Sequence, residues 1–248
     1  MSDGTRPGRR GLRTAGPQHE PHDAVALAER TNRIRAAVLG ANDGIVSTAG
    51  LVLGVAGATT STPAILTAGL AGLVAGALSM AAGEYVSVSS QRDTEAAAVD
   101  REKVELATDP DGELAELADL YQQRGLSPEL AHEVAEELTR RDALAAHSEV
   151  ELGIDPGEYV NPWNAAVSSL LSFTAGALLP LLAMAFVPQP LRVLVTFVAV
   201  LAALTLTGYV SARLGGARPW RAVARNVGGG AFAMIVTFAV GRLIGNWV

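Results

Sequence analysis

Cysteine is absent, which excludes disulfide scaffolds, thiolate metal sites, iron–sulfur clusters and cysteine nucleophiles. Lysine is nearly absent too. Lys103 stands alone beside abundant Ala and Arg, a composition pointing to a GC-rich genome and hence to a prokaryotic plasma membrane. Four histidines leave little scope for a His-rich zinc site. Neither a Gly-x-Ser-x-Gly elbow nor a P-loop occurs, and charged residues, at 18%, fall below the roughly 25% of a typical globular protein. With 49% apolar residues, 5% aromatic residues and a mean hydropathy of +0.27, an ordinary soluble enzyme is not expected.

What charge there is sits unevenly. Residues 91–160 hold 19 of the 25 acids and 6 of the 19 basic residues, a local net of −13, which leaves +7 for the remainder. Such an acidic block repels phosphates, so a nucleic-acid partner is excluded and a cation is expected.

Five windows have the length and apolarity of membrane helices. Ala36 to Ala58 contains one ionisable residue, Asp43, and Ala64 to Gln91 contains one, Glu84. Trp163 to Val187 and Val193 to Ala212 contain none, and Asn226 to Trp247 contains only Arg242. The start of the chain, rich in Arg, Gly, Pro and His and without an apolar core, reads as a disordered tail and not as a signal peptide. Arg30, Arg33 and Arg35 precede the first span, and Arg213, Arg218, Arg221 and Arg225 fill the loop before the fifth. The positive-inside rule then puts the N-terminus, the acidic block and that loop in the cytoplasm, and the C-terminus outside.

The expected fold is all-α, a five-span bundle with a three-helix acidic domain between spans two and three. Its divisions are a tail at 1–32, two spans at 33–91, the acidic metal-binding domain at 92–160 and three spans at 161–248. Small residues spaced by four, such as Gly40 and Gly44, Gly50 and Gly54, and Gly72 and Gly76, favour close helix approach within the chain or between copies. A homodimer with a path at its interface is expected.

The second span should continue unbroken to about Ala107. Asp109-Pro-Asp-Gly112 then marks a turn, Glu113 to Arg124 a helix, and Ser127-Pro-Glu129 the cap of a third helix running to about Leu152. On these helices Glu102 and Glu105, and Glu113 and Glu116, stand at i,i+3, and His147 and Glu151 at i,i+4, so each pair shares a face. Carboxylates with one imidazole suit Mn²⁺, Fe²⁺ or Mg²⁺. The strings Glu129-Leu-Ala-His132 and His132-Glu133 resemble di-iron and zincin half-motifs, but each lacks its second half. Both are read as surface residues, and no catalysis is expected.

Inside the spans an ionisable side chain is a functional candidate. Asp43, flanked by Gly40 and Gly44, is suited to exchanging a proton for a cation. Met80 and Glu84, at i,i+4, add a thioether and a second carboxylate.

Arg35-Ala-Ala-Val-Leu-Gly-Ala-Asn-Asp-Gly-Ile-Val-Ser-Thr48 and Ser79-Met-Ala-Ala-Gly-Glu-Tyr-Val-Ser-Val-Ser-Ser-Gln91 resemble the vacuolar iron transporter family of Fe²⁺/Mn²⁺ carriers. Glu151-Leu-Gly153 and Ser172-Phe-Thr-Ala-Gly-Ala-Leu-Leu-Pro180 fit as well, and the similarity extends over 33–248. The resemblance implies five membrane helices, a homodimer, and proton-coupled export of Fe²⁺ or Mn²⁺ from the cytoplasm, with no resident cofactor. It implies Asp43 and Met80 on the path and Glu102, Glu105, Glu113, Glu116 and Glu151 as cytoplasmic ligands. The chain departs from plant-type members at Asn32 and Ala36, where they carry acids, and at His147 and Ser148, where they carry methionines. At Glu84 some members have glycine. Rival readings are a non-transporting metal sensor or docking protein, and a metal channel without proton coupling.

Overall fold

A computed structural model describes residues 21–156 and 159–247, with side chains from Ile34 onward. All regular structure among the described residues is helical: α1 (Pro21–Ala58), α2 (Thr62–Thr108), α3 (Pro110–Gln123), α4 (Pro128–His147), a π-helical turn (Ser148–Leu152), α5 (Pro162–Phe186), α6 (Gln189–Leu214) and α7 (Pro219–Gly245). Five of the helices, α1, α2, α5, α6 and α7, are long and apolar enough to cross a membrane.

Residues 1–20 of the expected tail lie outside the described residues. The rest of it is corrected: α1 begins at Pro21, well before residue 33. Proline suits the first helical position, and Ala24, Ala26, Leu27, Ala28, Glu29 and Arg30 are strong helix formers that carry the helix back from the apolar span.

α2 is a single helix of 47 residues. At 1.5 Å per residue it is about 70 Å long, more than twice the hydrocarbon thickness, so its second half projects beyond the bilayer. Its start is set by Ser61, whose hydroxyl accepts from the Ala64 N–H, with Pro63 in the first turn. The projecting half carries Glu102 and Glu105 and is joined by α3, α4 and the π turn around a small core of Leu117, Ala118, Ala135 and Ala146.

α1 is the central helix of the bundle, in contact with α2, α5, α6 and α7. Close approach explains its glycines. A methyl group at Gly44 would fall inside the backbone of Phe173 on α5, and one at Gly76 on α2 would fall inside the Phe173 ring. Phe173, buried beside Ala77 and Ala177, therefore wedges α5 between α1 and α2. Further along, Gly241 of α7 lies directly against the Gly54 backbone. These glycines pack within one chain. The main core, including Ile45, Val52, Leu53, Leu181, Met184, Leu204 and Met234, fills the same interior.

The outer face of α2 lacks such a covering. Ala71, Ala75, Ser79, Gly83 and Ser87, spaced by four, are exposed, and nothing lies within 4 Å of a methyl placed at Gly83. Beside it α1 presents Leu39, Ser47 and Leu51 outward, with Asp43 half-buried in the same i,i+4 row.

The ends of the bundle differ. Arg35 meets Glu84 at one end, and a groove of about 500 Å³ there joins Arg35 and Asn42 of α1 to Ser211 and Asn226 of α6 and α7. The arginine loop and the acidic helices thus leave from the same end. At the other, Arg192 Nη1 donates to Thr62 Oγ1 at 2.9 Å, joining α6 to the start of α2.

Candidate metal centre

Each element aims its acids by ordinary helix chemistry. Asp109 caps α3 by accepting from the Gly112 N–H at 3.0 Å, and Pro110 fills the first position. Asp111 and Glu113 then occupy the first turn, where the helix dipole favours carboxylates. Ser127 caps α4 in the same way, accepting from the Leu130 N–H.

These helices converge on His147. Its Nδ1 lies 3.0 Å from Glu102 Oε1, 3.5 Å from Glu113 Oε2 and 4.0 Å from Glu151 Oε2. His147 is fully buried and Glu102 is 2% exposed. Despite their separation, neither His147 Nδ1 nor Glu102 Oε1 makes a hydrogen bond, and His147 Nε2 and Ser148 Oγ are buried without one as well. Leaving a buried polar atom unpaired costs about 1–3 kcal/mol. Two of these atoms, His147 Nδ1 and Glu102 Oε1, face each other and form a site that a cation would satisfy. Glu102, His147 and Glu151 each offer a ligand atom, all within 4.8 Å of one another.

The electrostatics agree. Burial, followed by repulsion from Glu151, Glu113, Glu105 and Glu116, pushes Glu102 up to about 7. Burial and neighbouring carboxylates also raise Glu113 and Glu151, although a hydrogen bond from Glu102 partly offsets the rise at Glu151. Burial lowers His147, with Glu116 opposing, so its imidazole stays neutral and keeps a lone pair for a metal. At neutral pH Glu102 is about half protonated, and a divalent cation would displace that proton.

All six residues expected here are placed on this domain. Glu102, Glu113, His147 and Glu151 stand in direct proximity. Glu105 and Glu116 are exposed and act on the centre through charge. His132 and Glu136 form an exposed i,i+4 pair at 3.3 Å on the outside of α4.

The three residues expected within the spans are separated in role. Asp43 makes no ion pair among the described residues; its backbone carbonyl accepts from Ser47 Oγ at 2.6 Å. Met80 packs on the cluster formed by Ala77, Phe173 and Ala177. Glu84 is held by Arg35 at 3.3 Å, with its side chain 11% exposed. Arg35 is the residue that the sequence marked for topology and at the head of a motif, and not as a site residue. Its place at the start of the first membrane window, opposite the last turns of the second, was the available signal.

The sequence model of the VIT family matches residues 34–242. The chain is 44% identical over 211 residues to a vacuolar iron transporter of Acanthamoeba castellanii, covering 85% of this chain and 78% of the relative. It is 38% identical over 219 residues to vacuolar iron transporter homolog 2 of Arabidopsis thaliana, covering 88% and 87%. To vacuolar iron transporter 2 of Oryza sativa subsp. japonica it is 34% identical over 237 residues, covering 92% and 96%. A half-buried carboxylate in α1, a helix extended far past the bilayer and a carboxylate–imidazole cluster beside it are thus features of a chain that belongs to the VIT family.

Proposed function

We propose that this protein exports Fe²⁺ and/or Mn²⁺ from the cytoplasm in exchange for protons. The observation that carries this reading is the convergence of Glu102, Glu113, His147 and Glu151, in which the buried His147 Nδ1 and Glu102 Oε1 face each other without a hydrogen bond. An oxygen-rich set with one imidazole suits these borderline divalent ions. The names of the relatives support transport of iron.

The route runs from the acidic helices to Asp43. The domain gathers cations by focusing its field, and several acids at moderate strength release them again. Asp43 lies about 12 Å further along α1 than Arg35. A carboxylate on the same outward row as Leu39, Ser47 and Leu51 is costly against lipid, which supports a second copy covering it. The small-residue face of α2 offers that copy a close approach, so the path lies at a two-fold interface that includes Asp43 and Met80. Arg35 pairs with Glu84 at the mouth of this path. Protonation of Asp43 after release resets the carrier.

The arginine loop shares the end that bears the acidic helices, and the positive-inside rule makes that end cytoplasmic. We place the protein in a prokaryotic plasma membrane on its composition. The proposal is tested in proteoliposomes containing a metal-quenched dye, with a pH gradient imposed. Flux that depends on the gradient and is lost in Asp43→Ala supports the exchanger. Flux indifferent to the gradient identifies a channel, and Mn²⁺ binding without flux identifies a sensor.

A further inference from the structure

We propose that Asp142 and Arg124 are the positioning residues of the metal centre, aiming His147 and Glu151 at Glu102 without touching the ion. This rests on the reading that the cluster binds a divalent cation.

The sequence pattern calls for one helix from Ser127 to about Leu152, yet the chain departs from it twice. At Asp142 the backbone becomes extended (φ −162°, ψ 97°). The Asp142 carboxylate accepts from the Ala145 N–H at 3.0 Å, capping the short helical segment that ends in His147. Asp142 therefore ends one helical segment and starts another in a new direction. Straight after His147 the helix widens into the π turn of Ser148–Leu152, which carries Glu151 and closes at Gly153 with φ 66°. π turns of this kind concentrate at functional sites because they shift the register of the side chains that follow.

A helix end leaves carbonyls without intrahelical partners. The Val150 carbonyl, one residue before Glu151, receives Arg124 Nη2 at 2.7 Å. Arg124 is the residue immediately after α3, where its guanidinium also lies 5.7 Å from the Tyr121 ring. It therefore ties the π turn to the helix that carries Glu113. The Val150 side chain adds a second tie through the core of Leu117, Ala118, Ala135 and Ala146. Asp142 and Arg124 are both exposed, and neither is among the groups facing His147 Nδ1.

Charge and geometry predict opposite signs at Arg124. Removing a cation near an acidic cluster should tighten metal binding if only the field matters. It should weaken binding if the π turn drifts. At Asp142, Ser keeps the capping oxygen and loses the charge, while Ala loses both; Ser and Asp cap about equally well.

Mn²⁺ is titrated into the full-length protein in detergent. Affinity is read by electron paramagnetic resonance, and histidine ligation by the ¹⁴N modulation of the spin echo. The wild type should bind with a nitrogen signal that His147→Ala removes; failure of that arm refutes the metal-centre reading itself. Given that signal, Arg124→Gln and Asp142→Ala should each bind about 10- to 100-fold more weakly, the range for groups that orient ligands. Their nitrogen modulation should fall while far-ultraviolet circular dichroism stays unchanged, and Asp142→Ser should retain wild-type affinity and signal. Equal or tighter binding by Arg124→Gln, or Asp142→Ser as weak as Asp142→Ala, overturns the proposal. The Arg124 and Ser arms decide it even if Asp142→Ala fails to fold.

Discussion

Replacing Glu102 by Gln should stabilise the metal-free acidic domain while destroying its response to metal. The carboxyl is 2% exposed and pushed up to about 7 from an ordinary 4.5. An acid raised on folding holds its proton more tightly in the folded form. Its contribution is therefore present in full below pH 4.5 and is lost as the pH rises to about 7, beyond which the cost is constant. At 1.36 kcal/mol per pKa unit, the ionised carboxylate costs the closed domain about 3 kcal/mol at pH 8. Glutamine removes that cost and keeps an amide that can donate toward Glu151, as the protonated Glu102 carboxyl does. Peeling α3 and α4 away from α2 is the opening that would hydrate Glu102, so the assay is hydrogen exchange of α3 and α4 amides in detergent. At pH 8 without metal, Glu102→Gln should exchange about 100-fold more slowly than wild type. At pH 4.5 the two should be nearly alike. Saturating Mn²⁺ should slow the wild type and leave the variant unmoved. Faster exchange of the metal-free variant at pH 8 would refute the reasoning, because it would mean that Glu102 is a carboxylate in a stabilising ion pair with a charged His147.

Further expectations follow from the same geometry. Apparent Mn²⁺ affinity should rise by about tenfold per pH unit for each proton displaced up to pH 7, and level off above; calorimetry across pH 5.5 to 8.5 checks the slope. Asp43→Asn should abolish flux in proteoliposomes with calorimetric Mn²⁺ binding unchanged, and residual flux near wild type would remove Asp43 from the path. Arg35→Glu and Glu84→Arg should each lower thermal stability, and the double exchange should recover about 0.5–1 kcal/mol of coupling, modest because Arg35 is largely exposed. Gly44→Val should force α1 and α5 apart at Phe173 at a cost of about 1–3 kcal/mol, seen as a lower melting temperature; an unchanged melting temperature would contradict that contact.

The membrane helices were legible because hydrocarbon imposes a length and a composition that any window of sequence either meets or fails. The cap at Ser127-Pro128 was legible for a local reason too, since it satisfies a backbone donor within one turn. Asp109-Pro110, read as a turn before a helix at Glu113, instead caps α3 from Pro110, and the Ser61 cap of α2 went unread. Spacing likewise gave the acids of the centre, since residues three or four apart share a helix face wherever that helix ends up. The start of α1 was misjudged because an Arg-, Pro- and Gly-rich beginning masked the short run of helix formers after Pro21.

Other features depend on which helix faces which, and no local pattern encodes that. Arg35 and Glu84 are 49 positions apart, and only the packing of α1 on α2 makes them partners. Periodicity runs straight through Asp142 and His147, and the π turn is held by a contact with Arg124 at the end of α3, 26 positions away from Val150. Sequence alone determined that this chain has five helices fit to span a membrane and bears acids in pairs three or four residues apart beyond the second of them. The tertiary structure decided which of those acids gather around the buried His147, with Glu102 buried beside it, and so which ones a cation would complete.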